Sequence, residues 1–151
     1  DKPEDELYKG RISYLLGENK DAISYLEKAK EHKQMLASYY LGLAYDANGD
    51  SDKAKKCIAE YIKSGVATSY DLYELGMQEM QDGNYKNALT YFNSGLELEK
   101  VPNKQNLMKS AIAAYEYSGD FDSAKKMMKE YLKAYPDDEE AKHENTFLET
   151  R

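Results

Sequence analysis

The stretch Ser118-Gly119-Asp120-Phe121-Asp122-Ser123-Ala124 interrupts a helical pattern with a glycine and places an alanine five residues later. The same interval separates Gly17 from Ala22, Gly49 from Ala54 and Gly83 from Ala88. Successive glycines of this set stand 32, 34 and 36 residues apart. A recurrence near 34 residues marks a repeat architecture, in which each unit is one supersecondary element that buries its apolar face only by stacking on a neighbour.

Between these glycines the apolar residues return at helical spacing. Leu36, Tyr39, Tyr40, Leu43 and Ala44 form one broad helix face, and Met127, Met128, Tyr131, Leu132 and Tyr135 form another. Each unit therefore reads as helix, tight turn at the glycine, helix. The pattern places helices at 4–15, 20–31, 36–47, 52–63, 69–81, 86–99, 104–117 and 122–134, with a ninth at 138–149. The three prolines, Pro3, Pro102 and Pro136, all fall at segment edges, which leaves the interiors free to be helical. Asp1-Lys2-Pro3-Glu4 reads as an N-cap with proline just inside the helix and Glu4 at its third position. Asp50, Asn84 and Asp120 each follow a turn glycine and are expected to cap the second helix, while the glycine supplies the left-handed residue that ends the first.

Composition narrows the function classes. The net charge of −7 resides at the two ends, in residues 1–6 and 137–151, and the body between them is neutral. The acidic ends read as solvated helix starts. Arginine occurs only at Arg11 and Arg151, and no basic stripe exists, so nucleic acid is disfavoured as a partner. Fifteen tyrosines argue against a disordered chain. No apolar run has the length of a membrane span. Cys57, the single cysteine, is expected to act as a small hydrophobe. The compartment stays open: cytoplasmic, or exported or anchored with an N-terminal signal removed, since the chain begins at Asp1. Much lysine, tyrosine, asparagine and aspartate with little arginine points to an A/T-rich bacterial genome.

The units resemble the tetratricopeptide repeat. The second carries Leu41-Gly42, Tyr45, Gly49, Ala54 and Ile58. The third carries Leu75-Gly76, Gly83, Tyr85, Ala88, Phe92 and Pro102. The fourth keeps Tyr115, Gly119, Phe121, Ala124, Met128 and Pro136, with Ala111-Ile112 where Leu-Gly stands elsewhere. The first matches at Gly10, Gly17, Ala22, Leu26 and Ala29, but Lys9 replaces the leucine and Asn19 the aromatic; in the third, Glu79 replaces the tyrosine. The resemblance implies an all-α solenoid of antiparallel hairpins with a right-handed superhelix. It forms a single domain over 1–151, with repeats at 3–34, 35–68, 69–103 and 104–136. Helix 138–149 then acts as a cap, Ala141, Phe147 and Leu148 covering the last pair while its carboxylates face water.

The same resemblance implies a non-catalytic protein-interaction module that holds a peptide or protein segment in a concave groove lined by the first helices. By register the groove takes Glu4, Leu7, Arg11 and Tyr14; Leu36, Tyr39, Leu43 and Asp46; Tyr70, Tyr73, Met77 and Met80; and Asn106, Lys109, Ala113 and Glu116. The sharpest candidates are Tyr39, Leu43, Tyr70, Tyr73, Met77, Met80 and Lys109, because tyrosine joins apolar area to a hydroxyl and methionine repacks easily. The bland alternative is that this stripe is core or ordinary superhelix lining. A clamp for C-terminal carboxylates does not fit, because its positions hold Leu7, Arg11, Tyr40, Tyr70 and Glu74. Two further readings remain: a scaffold that self-associates as a homo-oligomer, and an accessory region of a larger protein whose other domains lie outside this chain.

No catalytic constellation is expected, and no cofactor or metal. The run Asp46 to Asp52 places oxygens at alternate positions like a calcium loop, but Ser51 and Cys57 stand where that loop needs glycine and glutamate. His32 and His143 fall far apart along the array, so neither a metal site nor a Cys/His couple is expected.

Overall fold

The computed structural model describes residues 2–151, and among them nine α-helices and no strand are found. They are α1 Pro3–Leu15, α2 Asn19–Glu31, α3 Leu36–Ala47, α4 Ser51–Lys63, α5 Ser69–Gln81, α6 Tyr85–Leu96, α7 Lys104–Ser118, α8 Phe121–Ala134 and α9 Glu139–Leu148. Every helix read from the periodicity is present, and only α6 is misjudged by more than one residue. It ends at Leu96 rather than 99. Leu98 N–H turns back to the Gly95 carbonyl at 3.3 Å, and buried Asn103 donates to the Ser69 carbonyl at 3.2 Å. That anchor on the start of α5 draws the chain off the axis of α6.

The connection between the helices of a hairpin is built from backbone. At Gly119, φ is +81°, which only glycine adopts without strain. Gly119 N–H bonds to the Glu116 carbonyl at 3.0 Å and Asp120 N–H to the Tyr115 carbonyl at 2.9 Å. These bonds satisfy the last carbonyls of α7 and reverse the chain. The same closing bonds recur from Asp50 to Tyr45 and from Asn84 to Glu79, both at 2.8 Å.

Of the three expected caps, only Asp120 works as one. Its carboxylate accepts from Ser123 N–H at 3.1 Å and from the Ser123 hydroxyl at 2.7 Å. Asp50 instead accepts from the Asn48 amide at 3.2 Å, and Asn84 makes no cap bond. The third residue beyond Asn84 is Asn87, whose side-chain amide donates to Glu79 at 3.5 Å. The reading of residues 1–4 rests partly on Asp1, which lies outside the described residues. Lys2 takes the N-cap position, so the reciprocal bond comes from Asp5 rather than Glu4: Lys2 N–H donates to Asp5 at 3.3 Å.

The chain divides into two compact units, one running up to Ala67 and the other Thr68–Arg151. In the first, α1 packs on α2, α3 on α4, and both α1 and α2 on α3. Its core joins Ala22, Leu26, Leu41, Ala44, Tyr45, Ala54 and Cys57. Cys57 is buried as expected, and burial raises its thiol pKa. In the second unit, α5 packs on α6, α6 on α7, α7 on α8 and α8 on α9, with α5 also touching α7. Hairpins that stack in sequence order are the arrangement of an α-solenoid, and each unit holds two of the expected repeats.

Within a hairpin, close approach depends on a missing side chain. A Cβ on Gly10 would meet Leu26 at 2.5 Å, one on Gly42 would meet Ile58 at 2.6 Å, and one on Gly76 would meet Phe92 at 2.3 Å. The alanines of the turn interval, Ala22, Ala54, Ala88 and Ala124, are buried on the facing helices. The fourth hairpin differs: Ile112 stands at the glycine position opposite Met128, which is unbranched enough to make room.

Gly76→Ala is expected to destabilise the chain by ~1–3 kcal/mol through overpacking. Phe92→Leu in that background should recover part of the loss, so the two substitutions couple in a double-mutant cycle of urea unfolding. Gly119→Ala should cost about 1–2 kcal/mol through φ alone and show no such coupling, since its Cβ meets nothing within 4 Å.

Candidate functional site

The second unit carries a cleft between its last three helices. Residues of α7, α8 and α9 enclose a cleft of about 620 Å³. Its apolar wall is Ile112 and Ala113 from α7, Phe121 and Met128 from α8, and Ala141 and Phe147 from α9. Its polar rim is Lys109 and Glu116 from α7 with Glu140 and Glu144 from α9. The departure of the fourth repeat from its siblings lies in this wall. A branched side chain, Ile112, stands there where glycine stands in the other repeats.

The capping helix α9 closes the cleft, though not as its sequence pattern implied. Ala141 and Leu148 are buried against the last hairpin, with Met128 and Tyr131 in the same cluster. Phe147 is 42% exposed and faces the cleft. It sits one helical step, about 100°, from Leu148, so the two cannot fill the same slot. Of the carboxylates expected to face water, Glu140 is exposed and lines the cleft, and Glu144 is half-buried in it.

Lys109 does not stand free. Its ammonium pairs with Asp138 at 3.3 Å. Asp138 also accepts from the Tyr131 hydroxyl, caps α9 through Ala141 N–H at 3.1 Å, and so ties α7, α8 and α9 together. Gln105 donates to the Tyr131 hydroxyl at 3.0 Å. Burial would lower the Lys109 pKa, but the bond to Asp138 and the nearby Tyr131, Asp138 and Glu140 outweigh it and hold the pKa above its usual value. Tyr131 and the α9 cap lower that of Asp138.

Glu116 is the perturbed acid of the site. Burial first, then a side-chain hydrogen bond and repulsion from Glu144, push its pKa up to about 7. Two carboxylates that hydrogen-bond share a proton, because both cannot ionise at contact without strong repulsion. No ion pair reaches Glu116, Glu140 or Glu144 among the described residues. The arrangement suits a bound positive charge. It places no nucleophile beside a base.

The other candidate groove residues are placed as follows. Tyr39 and Leu43 lie half-buried in the first unit, where the Tyr39 ring meets Tyr40 edge-on at 5.2 Å and Tyr61 at 5.3 Å. In the second unit Tyr73, Met77 and Met80 are half-buried against the cluster around Phe92, and Ser110 donates to the Met77 sulfur at 3.7 Å. Tyr70 is 56% exposed. Of the seven, only Lys109 lines the cleft, joined there by Ala113 and Glu116 from the wider register set. Ile112, Phe121, Phe147, Glu140 and Glu144 were not expected there. The one departure in the sequence at this place is Ile112, where glycine stands in the other repeats.

The tetratricopeptide repeat family model matches residues 36–64 and 105–138, one hairpin in each unit. The helices among the described residues fit a tetratricopeptide-repeat-like protein. The matches cover the second and fourth repeats; the first departs from the pattern at Lys9 and Asn19 and the third at Glu79, and the fourth is matched despite Ile112. Repeats of this kind generally serve protein–protein interaction. No curated protein matches the chain.

Glu116 gives the site a pH signature. Its folded pKa of about 7 lies above the ordinary 4.5 of a glutamate, so between those values the folded chain keeps a proton that the unfolded chain has released. Stability therefore falls as pH rises through that window and is level above it. Glu116→Gln should raise the melting temperature at pH 8, by about 1 kcal/mol or less after solvent screening, roughly 2–4 °C. At pH 4 the difference should vanish. Thermal melts followed by circular dichroism across pH check both ends.

Proposed function

We propose that the chain is a non-catalytic interaction module that binds a peptide or protein segment, with the α7–α9 cleft as one contact region of its groove. The repeats at 3–34, 35–68, 69–103 and 104–136 and the capping helix then work as one module over 1–151. The observation that carries the reading is the cleft itself. Its volume lies within the ~300–1,000 Å³ range of ligand pockets, with the usual apolar wall and a few polar groups. The exposed ring of Tyr70 extends the candidate surface along α5. Tyr73 and Met77 also support the core, so substituting them mixes binding with stability; Tyr70→Ala tests the same surface cleanly.

A display library of short peptides selected on the immobilised chain should enrich binders. Ala113→Arg, which fills the cleft, should reduce their capture more than tenfold, and Tyr70→Ala should reduce it less. Enriched peptides indifferent to Ala113→Arg remove the cleft from this reading.

A specific observation favours a second reading, self-association. On α1 and its C-cap the side chains of Tyr8, Ile12, Leu15 and Leu16 are 65%, 38%, 77% and 68% exposed and follow the spacing of one helix face. Of the residues in register with Ile12, Ala44 of α3 and Ala114 of α7 are buried and Gln78 of α5 is exposed. Sedimentation velocity across a concentration series should show association, reversed by Leu15→Lys. A monomer at every concentration excludes this reading.

A further inference from the structure

We infer that the α7–α9 cleft takes a peptide segment in which a lysine or arginine neighbours an apolar side chain, the cation meeting Glu116, Glu140 and Glu144. This rests on the groove reading above and names the chemistry of its occupant. The argument is charge complementarity on an apolar cleft. Three carboxylates line it, and its one lysine is already neutralised by Asp138. An acidic segment would be repelled. A neutral one would desolvate the carboxylates without pairing them, which buried polar groups resist. A basic side chain satisfies both halves of the cleft, because its aliphatic stem covers Ile112 and Phe147 while its head reaches the rim.

The carboxylate pair sharpens the match. Glu116 and Glu144 share a proton in the free chain, and an arriving cation favours their fully ionised form, so binding releases that proton. The charged and titratable groups around the pair are Lys109 and Tyr117 on α7, Tyr131 on α8, Asp138 ahead of α9, and Glu140 on α9. Of these only Lys109 is basic, and its charge is spent on Asp138; the Arg151 guanidinium lies outside the carboxylates, over the Phe147 ring at 4.2 Å and the Phe121 ring at 5.8 Å.

The test is fluorescence anisotropy on the full chain with three labelled nine-residue peptides. They are identical except for a central lysine, acetyllysine or glutamate between leucine and phenylalanine. The lysine peptide should bind at least tenfold tighter than the acetyllysine peptide, and the glutamate peptide weakest. The double variant Glu116→Gln with Glu144→Gln should bring the lysine peptide to the acetyllysine level, with an unchanged circular dichroism spectrum. Wild-type affinity for lysine should fall between pH 8 and pH 6. Equal affinity for all three peptides overturns the charge proposal and leaves the groove reading intact. Binding by none of them, or binding indifferent to both Ala113→Arg and Phe147→Ala, overturns both.

Discussion

Each of the first three hairpins closes where a glycine on its first helix meets a large apolar side chain on its second. Gly10 receives Leu26, Gly42 receives Ile58 and Gly76 receives Phe92, each at a distance that no side chain could share. The contact sets how deeply two helices interlock, and with it which residues reach the next hairpin. Where the fourth hairpin abandons the glycine, Ile112 and Met128 take its place, and the cleft opens beside them. The candidate site is thus a local exception to the rule that builds the rest of the chain.

The electrostatics of that exception follow from how α9 is held. Asp138 accepts from Tyr131 and Ala141 N–H and pairs with Lys109, so one carboxylate fastens three helices. This anchor consumes the one lysine that lines the cleft, while the Arg151 guanidinium stacks over the Phe147 and Phe121 rings. Glu116, Glu140 and Glu144 are left facing one another across apolar walls, and Glu116 answers by retaining its proton toward neutrality. A structural need, docking the last helix, thereby sets the sign of the site.

The turn at Ser118–Ala124 has a different task. Gly119 reverses the chain, Asp120 caps α8, and Ala124 lets the helices close. Phe121 belongs to both worlds: it packs on the last cluster and also forms part of the cleft wall. The matching turns at Gly49 and Gly83 use the same backbone bonds without the same side-chain caps, so the backbone geometry, rather than the cap, is what recurs.

By itself the sequence determined the helices, their order and their pairing, because turn glycines, buried alanines and helical apolar spacing are local rules repeated four times. It also determined that Cys57 is packed, since a lone cysteine on an apolar helix face is a small hydrophobe. The tertiary structure decided what needs contacts between distant residues. It spent Lys109 on Asp138, placed Glu116 against Glu144 from another helix, turned Phe147 away from the core, and stopped α6 early through Asn103. Periodicity assigns a residue to a helix face. Whether that face is core, rim or wall depends on which helix arrives to cover it, and that is a property of the packed chain.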